Sequence, residues 1–247
     1  TTFTDFDRVD HPDVFYAGLL QYDGDQQVPR HYLVEPPAID HTMGEYLADA
    51  GMRCFAISET QKFGHVTFFW NGNRSGYINE SLETYVEIPS DNVPFDQAPA
   101  MKAAEITDAT IELLRNGQFD WGRINYANGD MVGHTGDLDA TIESMEILDD
   151  ALARLVGVVV DELDGMIIFT ADHGNADIMY TEKNGIRSPK TSHTLSAVPF
   201  VVHCQNPERY QLVADGTTGL ANIAATVISV LGFEPPTDYQ PSLVISR

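Results

Sequence analysis

The stretch at residues 165–175, GMIIFTADHGN, decides the fold of this chain. Its opening part, residues 165–170, is short, almost wholly apolar and rich in β-formers, as expected for a strand covered on both faces. Asp172 and His173 follow back to back where that strand should end. Functional side chains of open α/β sheets gather at the carboxyl ends of the strands. The stretch therefore predicts a buried strand of a parallel sheet that leads into a polar site.

Strand and helix patterns alternate on both sides of this stretch. The predicted strands lie at residues 14–22, 53–58, 65–70, 121–127 and 198–203. The predicted helices lie at about 41–50, 98–116, 137–162 and 219–231. In the longest helix apolar residues recur every three or four positions, which predicts one stripe facing a core: Leu138, Ile142, Met145, Leu148, Leu152, Leu155 and Val159. Alternating strands and helices predict a layered α/β domain with a mainly parallel sheet.

Composition and charge exclude several classes of protein. The chain has 247 residues, with 37 acidic against 14 basic ones and a formal net charge of −23. This balance argues against binding nucleic acid or anionic lipid through a broad basic face. No apolar run approaches the roughly 18 residues that a membrane helix needs, and no charged-then-apolar leader opens the chain. Cys54 and Cys204 lie far apart and fit free thiols in a reducing compartment, so we expect a cytoplasmic protein.

Polar clusters that follow predicted strands offer metal ligands. Asp130 and His134 lie four positions apart in a predicted glycine-bearing loop at 128–136, where one turn can aim both at a single ion. His193 lies in the loop before the predicted strand at 198–203. Taken alone, each cluster is typical of loop caps and surface imidazoles. Their shared position near strand ends of one sheet indicates a site instead.

Asp172 and His173 impose a geometric condition on such a site. Adjacent residues on an extended chain point to opposite sides. Both can serve one ion only if the backbone turns there, and Gly174 permits such a turn. Carboxylate and imidazole donors without thiolate favour a hard-to-borderline divalent ion, which leaves Mn²⁺, Mg²⁺ and Zn²⁺ open. The spacing by itself predicts a metal-dependent hydrolase or phosphotransferase and goes no further.

Longer strings around these residues carry a family resemblance. They are SETQKFGHVTFFWNG (58–72), INYANGDMVGHTGD (124–137), FTADHGNADIM (169–179) and KTSHTLSAVPFV (190–201). All of them resemble motifs of the cofactor-independent phosphoglycerate mutases, members of the alkaline phosphatase superfamily, and they occur in the family's order through most of the chain. The resemblance implies a three-layer α/β/α fold with a mainly parallel sheet, alkaline phosphatase-like and N-terminally incomplete.

The resemblance also implies a centre with two Mn²⁺ ions. Three residues match the family's ligands of the first ion, namely Asp130, His134 and His193. Asp172 and His173 match ligands of the second ion. In the family that ion is completed by an Asp and a Ser from near the N-terminus, and this Ser is the nucleophile.

The reaction that the resemblance implies is the interconversion of 2-phosphoglycerate and 3-phosphoglycerate in glycolysis and gluconeogenesis. It proceeds through a phosphoserine intermediate and does not require 2,3-bisphosphoglycerate. Lys62 matches a family Lys that contacts the phosphoryl group of the substrate near the metals. A fixed cation at that position stabilises charge on the transferring oxygens, which gives Lys62 a catalytic and substrate-binding role.

The same resemblance divides the chain into two parts. Residues 1–35 look like the tail of the family's inserted substrate-binding domain together with a hinge, with Pro36-Pro37 at the boundary. Residues 36–247 look like the metal-binding, phosphatase-like domain. The segment with the nucleophilic Ser is not found in these residues. We therefore expect the parent protein, a monomer at full length, to be the mutase, and this chain alone to be inactive.

Two rival functions remain open at this stage. Another phosphomutase or phosphatase of the alkaline phosphatase superfamily would share the Asp-His ligand pattern but should lack the segment KFGHVTFFWNG at 62–72. A non-catalytic metal-binding domain would keep the fold without a nucleophile.

The roles of several neighbouring residues also stay open. Glu59 and His65 either orient Lys62 or serve packing and capping. Asn128 and Asn175 either hydrogen-bond the ligands from outside or make turns. The resemblance gives Asp177 no role as a ligand, although its carboxylate has the right chemistry.

Overall fold

The computed structural model describes residues 13–21, 28–35, 37, 39–213 and 218–247. The strands are β1 (Ala17–Leu20), β2 (His31–Val34), β3 (Cys54–Glu59), β4 (Glu83–Ile88), β5 (Trp121–Asn125), β6 (Met166–Thr170), β7 (Tyr180–Lys183), β8 (Ile186–Pro189), β9 (Phe200–Cys204), β10 (Tyr210–Leu212) and β11 (Val244–Ser246). The helices are α1 (Met43–Asp49), α2 (Phe63–Val66), α3 (Ala103–Arg115), α4 (Asn128–Gly133), α5 (Leu138–Val156) and α6 (Ile223–Val230). Pro36 of the predicted hinge lies outside the described residues. No helix in these ranges has the length and apolar character needed to span a membrane.

A parallel sheet is built around β3, all of whose residues are buried. Strand β3 pairs in parallel with β4 on one edge and with β5 on the other. Phe55 and Ile57 of β3 pack with Ile106 of α3 in one core cluster. Burying one such side chain stabilises the fold by about 1.5–3 kcal/mol, so this cluster holds the sheet against α3. The carboxyl ends of β3 and β5 consequently open at the same edge.

The other face of this sheet carries a second core. Met43 and Leu47 of α1 pack with Ile228 of α6, and Trp121 of β5 lies against them. Ile124 of β5 packs instead in the first cluster, on the side of α3. Because positions three apart on a strand point to opposite faces, the two clusters lie on opposite faces of the sheet. The predicted α/β/α layering is thereby confirmed.

Strands β6 and β9 form a separate antiparallel pair in which Ile168 lies opposite Val202. The strands predicted at 165–170 and 198–203 are confirmed. The prediction that the first of them is covered on both faces is wrong, because β6 is only half-buried and Thr170 is exposed. Among the described strands β6 pairs with β9 alone, so no strand in that part of the chain pairs with its second edge.

The strand predicted at 65–70 is wrong. The segment folds into α2 and a series of turns. Here the Thr67 hydroxyl donates to the Phe63 carbonyl at 2.7 Å, and the backbone N–H of Phe69 donates to the Gly64 carbonyl at 2.9 Å. These local hydrogen bonds satisfy the backbone without a neighbouring strand, and they override the β preference of a Val-Thr-Phe-Phe sequence.

The helix predicted at 137–162 is found, with two differences. It runs as α5 to Val156 and then as a π-helical turn over Gly157–Glu162, where the run of β-branched valines disfavours regular α-helix. Only part of its predicted apolar stripe packs against a core, and another part is exposed to solvent. Leu155 is buried, whereas Ile142 and Met145 are 49% and 42% exposed.

Candidate metal centre

The candidate ligands come from segments that follow β5, β6 and β8. The predicted loop at 128–136 holds the short helix α4, which follows β5 and carries Asp130. His134 is its C-cap residue, and because residues four apart share one helix face, both side chains point the same way. Asp172 and His173 follow β6, and His193 lies between β8 and β9. The structure thus brings together the clusters that the sequence predicts.

Asp130, His134 and His193 form a compact triangle of donor atoms. The Nε2 atoms of His134 and His193 each lie 3.1 Å from Oδ1 of Asp130. The same two nitrogen atoms lie 3.1 Å from each other. Among the described residues this is the one group of three or more such side chains whose ligand atoms converge closely enough to hold an ion.

The imidazole of His134 is fixed by a backbone group. Its Nδ1 lies 2.7 Å from the carbonyl oxygen of Thr191. A carbonyl only accepts hydrogen bonds, so Nδ1 carries the proton and Nε2 keeps its lone pair toward the triangle. This partner was missed at the sequence level, because a backbone oxygen leaves no residue-type signal.

The carboxylate of Asp130 is held from two further sides. Nζ of Lys62 lies 2.5 Å from its Oδ2, with both side chains largely buried. The amide of Asn175 donates to its Oδ1 at 2.7 Å. Burial acts to raise the pKa of Asp130, but the hydrogen bonds from Lys62 and Asn175 outweigh burial and lower the pKa to about 2. Asp130 is therefore an anion at neutral pH, as a metal ligand must be.

Asp172 and His173 can serve one ion only if the backbone turns between them, and the structure shows such a turn. The backbone bends at both residues, so that Nε2 of His173 lies 3.6 Å from Oδ1 of Asp172. The imidazole of His173 stacks on that of His193 with ring centres 3.7 Å apart. Its Nδ1 is buried without a hydrogen-bond partner. The second pair of predicted ligands therefore lies directly against the triangle.

The residues with open roles are now placed. Glu59 accepts from the Ser90 hydroxyl at 2.8 Å and from the Lys102 backbone at 3.2 Å, so it links loops and does not orient Lys62. Burial is the main cause that lowers the pKa of His65, and the nearby Lys62 cation is the second. This imidazole is therefore neutral at neutral pH.

Asn128 and Asp177 form hydrogen bonds that hold the segments around the centre in place. The amide of Asn128 donates to the carbonyls of Pro99 and Ala100 at 2.9 and 3.0 Å and so anchors the start of α4. Hydrogen bonds from Ser196 and Thr194, the former outweighing the effect of burial, lower the pKa of Asp177. Its carboxylate is committed to the segment that carries His193.

Comparisons with known proteins agree with this geometry. The family model described as the metalloenzyme superfamily matches residues 15–235. The 2,3-bisphosphoglycerate-independent phosphoglycerate mutase of Trypanosoma brucei brucei is 51% identical over 253 residues, covering 98% of this chain and 46% of the relative. A probable enzyme of that name from Leptospira interrogans is 48% identical, with 98% and 46% covered.

A solved structure shows the same fold. It is a crystal structure of Leishmania mexicana phosphoglycerate mutase at low cobalt concentration, with a TM-score of 0.92 and 49% identity. The match covers 100% of this chain and 47% of that one. The chain therefore spans about half the length of the relatives it matches, and the predicted alkaline phosphatase-like fold is confirmed. Since the family model covers most of its residues, the chain belongs to the metalloenzyme superfamily, and its resemblance to the cofactor-independent phosphoglycerate mutases is confirmed.

Proposed function

We propose that this chain is the metal-binding part of a phosphoglycerate mutase that interconverts 2-phosphoglycerate and 3-phosphoglycerate without 2,3-bisphosphoglycerate. The observation that carries the proposal is the donor triangle of Asp130, His134 and His193 with the Lys62 cation against it. The relatives bear the name of this activity. We further propose a cytoplasmic, glycolytic enzyme that is monomeric at full length.

The donor set fits a divalent ion. Metal–nitrogen bonds of about 2.0–2.1 Å place neighbouring ligand atoms roughly 2.8–3.0 Å apart in an octahedral shell and roughly 3.3–3.4 Å apart in a tetrahedral shell. The three donor atoms of the triangle are 3.1 Å apart. We propose that Asp130, His134 and His193 hold one Mn²⁺ and that Asp172 and His173 hold part of the shell of a second. The approach of Nε2 of His173 to Oδ1 of Asp172, at 3.6 Å, supports the second assignment.

The chemistry of the centre follows from its charges. Two such ions, when bound, lower the pKa of a serine hydroxyl and neutralise phosphoryl oxygens during in-line transfer. Lys62 adds a fixed cation whose Nζ is already positioned by Asp130 at 2.5 Å. A buried cation in a preorganised site stabilises the charge that develops on transferring oxygens. In the proposed reaction Lys62 binds the phosphoryl group, and a Ser outside this chain takes it and returns it.

We also propose the predicted division of the chain. In this division residues 1–35 belong to a substrate-binding domain and residues 36–247 form the metal-binding domain. Large apolar side chains on and next to β1 and β2 support it, because Phe15, Leu19 and Leu33 are 81%, 79% and 75% exposed. Apolar side chains exposed on neighbouring strands indicate a surface that another part of a protein covers.

The proposed function is tested on the full-length parent protein by metal analysis. Asp172→Ala should abolish mutase turnover and reduce bound manganese from two ions to one, because it removes a ligand of the second ion. Asp238→Ala, at an exposed acid next to the C-terminal segment, is the matched control and should keep both. Retention of two ions and of turnover in Asp172→Ala would contradict the assignment.

A further inference from the structure

One loop, residues 172–177, contacts both of the other ligand segments. It carries Asp172 and His173 at its start and Asn175 and Asp177 further on. Asn175 extends toward α4, and Asp177 toward the segment of His193. The loop therefore lies where it can fix the ligands of the two proposed ions relative to each other.

The contact with α4 is made by the Asn175 side chain, which is only 4% exposed. Its Nδ2 donates to the backbone carbonyl of Asp130 at 3.1 Å and to the carboxylate Oδ1 of Asp130 at 2.7 Å. Both partners are acceptors, so only the NH₂ end of the amide can face them. The two bonds together fix the position of the Asp130 backbone and the rotation of its carboxylate.

The packing around this amide leaves it little freedom. A Cβ on Gly133 would lie 2.9 Å from Oδ1 of Asn175, so the amide fills the space directly beneath α4. That Oδ1 is buried without a hydrogen-bond partner. A buried polar atom without a partner costs about 1–3 kcal/mol, a cost that the donor end of the same amide must offset.

The other side of the loop is attached just as closely. The hydroxyl of Thr194 donates to Asp177 at 2.9 Å, and its backbone N–H donates to the Gly174 carbonyl at 2.8 Å. A Cβ on Gly174 would lie 2.1 Å from Oγ1 of Thr194, so this approach requires glycine. His193 is thereby held against His173, with their rings stacked.

We propose that Asn175 is a positioning residue for the first ion. It holds Asp130 so that Oδ1 faces the two imidazoles while Oδ2 remains on Lys62, and it joins this ligand to the loop that carries Asp172 and His173. The inference rests on the proposed metal centre. Losing such an outer partner of a metal ligand typically weakens metal binding about 10–100-fold.

The test is to measure the affinity of this chain for Mn²⁺ by titration calorimetry. Asn175→Leu removes both donors at nearly constant volume and should weaken binding to the Asp130 site about 10–100-fold. Co²⁺ provides a second reading, because its d–d absorption bands report the ligand geometry and should change in this variant. Asn175→Ala introduces no bulk and should also weaken Mn²⁺ binding and change the Co²⁺ bands. It replaces the Leu variant in the test if that variant does not fold.

A merely structural role of Asn175 is distinguished by a matched control. Asn71 is also a buried asparagine, donates two hydrogen bonds at 2.9 Å, to Gly76 and Tyr85, and has a buried Oδ1 without a partner. Asn71→Leu should therefore destabilise the fold to a similar extent and leave Mn²⁺ affinity and the Co²⁺ spectrum unchanged.

The outcomes separate the inference from the proposed function. Wild-type Mn²⁺ affinity and an unaltered Co²⁺ spectrum in both Asn175 variants would overturn the positioning role and leave the metal centre standing. An equal loss of affinity in Asn71→Leu would also overturn it, because general destabilisation would then explain the effect. Absence of Mn²⁺ binding by the wild-type chain would refute the proposed centre itself.

Discussion

The carboxylate of Asp130 has different neighbours at its two oxygens. Oδ2 meets the Lys62 ammonium at 2.5 Å, while Oδ1 faces two imidazole nitrogens and the Asn175 amide. One oxygen is thus neutralised by a permanent cation, and the other is directed to the point where an ion would bind. In the proposed enzyme, this division lets the side chain of Asp130 serve both the metal ion and Lys62, the residue proposed to bind the phosphoryl group.

Lys62→Met should raise the pKa of Asp130 from about 2 toward the ordinary 3.8, because it removes a hydrogen-bonding cation. The folded-state pKa is depressed, so this stabilisation is complete above pH 3.8 and is lost as the pH falls through about 2. At about 1.4 kcal/mol per pKa unit, the metal-free variant should lose on the order of 2 kcal/mol of unfolding free energy near neutral pH. Denaturant unfolding with chelator, at pH 6 and in a series toward pH 2, measures this difference and its disappearance.

Arg115→Met is the control for that experiment. Arg115 pairs with Glu162 at 2.7 Å, but both side chains are about half exposed. Solvent screens such pairs, so the substitution should change stability little at any pH. An Asp130 carboxyl titration that is the same in wild type and Lys62→Met would contradict the ion pair.

At the level of secondary-structure elements, the sequence predicts best where burial and local preference agree. Strand β3 and helix α3 lie within a few residues of their predicted positions, because apolar runs and glycine stops coincide there. The segment 65–70 fails because side-chain and backbone hydrogen bonds within it outweigh its β-formers. The spacing of apolar residues predicts which face of a helix is apolar, but it does not predict what packs against that face. Helix α5 is an example, because part of its apolar stripe is exposed.

The uncovered part of α5 forms one wall of an open groove of about 530 Å³, with Ala176 of the ligand loop also in its lining. Ile142, 49% exposed here, should be buried in the full-length protein by the part of the polypeptide that its relatives have beyond this chain. Ile142→Glu should therefore cost about 1.5–3 kcal/mol of unfolding free energy in the full-length protein, and roughly half as much in this chain, where the side chain is already half-buried.

Ala153→Glu serves as the matched control for this comparison. Ala153 is exposed on α5 and does not line the groove. The substitution should have little effect in either protein. Equal effects of Ile142→Glu in the chain and in the full-length protein, measured by denaturant unfolding, would show that nothing further covers this part of α5.

On the scale of the whole molecule, a net charge of −23 opposes the binding of an anionic substrate. The centre counters this field locally with Lys62 and, in the proposed enzyme, with divalent ions. Sequence motifs are sufficient to predict Asp130, His134 and His193 as neighbours, because Asp130 and His134 lie four positions apart after a predicted strand and His193 lies in a string that resembles the same family site. They do not predict the Thr191 carbonyl or the Lys62–Asp130 pair, which depend on how turns direct a backbone oxygen and a long side chain.

The two ion sites should differ in strength in this chain. The first has three converging protein donors, whereas the second has only Asp172 and His173 within the described residues. Each missing anionic ligand removes both a bond and charge neutralisation, so the chain should bind one Mn²⁺ tightly and the second weakly. It should show no mutase turnover, since the proposed nucleophile lies outside it. The full-length protein should bind two ions and turn over.

Equilibrium dialysis with elemental analysis, together with a coupled mutase assay on both proteins, measures these differences. Within the chain, His193→Ala should remove the tightly bound ion, while His203→Ala, at an exposed imidazole on β9, should retain it. Two tightly bound ions in the chain would mean that Asp172 and His173 have further partners of their own. Clear turnover by the chain alone would place the nucleophile within these 247 residues and refute the division of the active site proposed here.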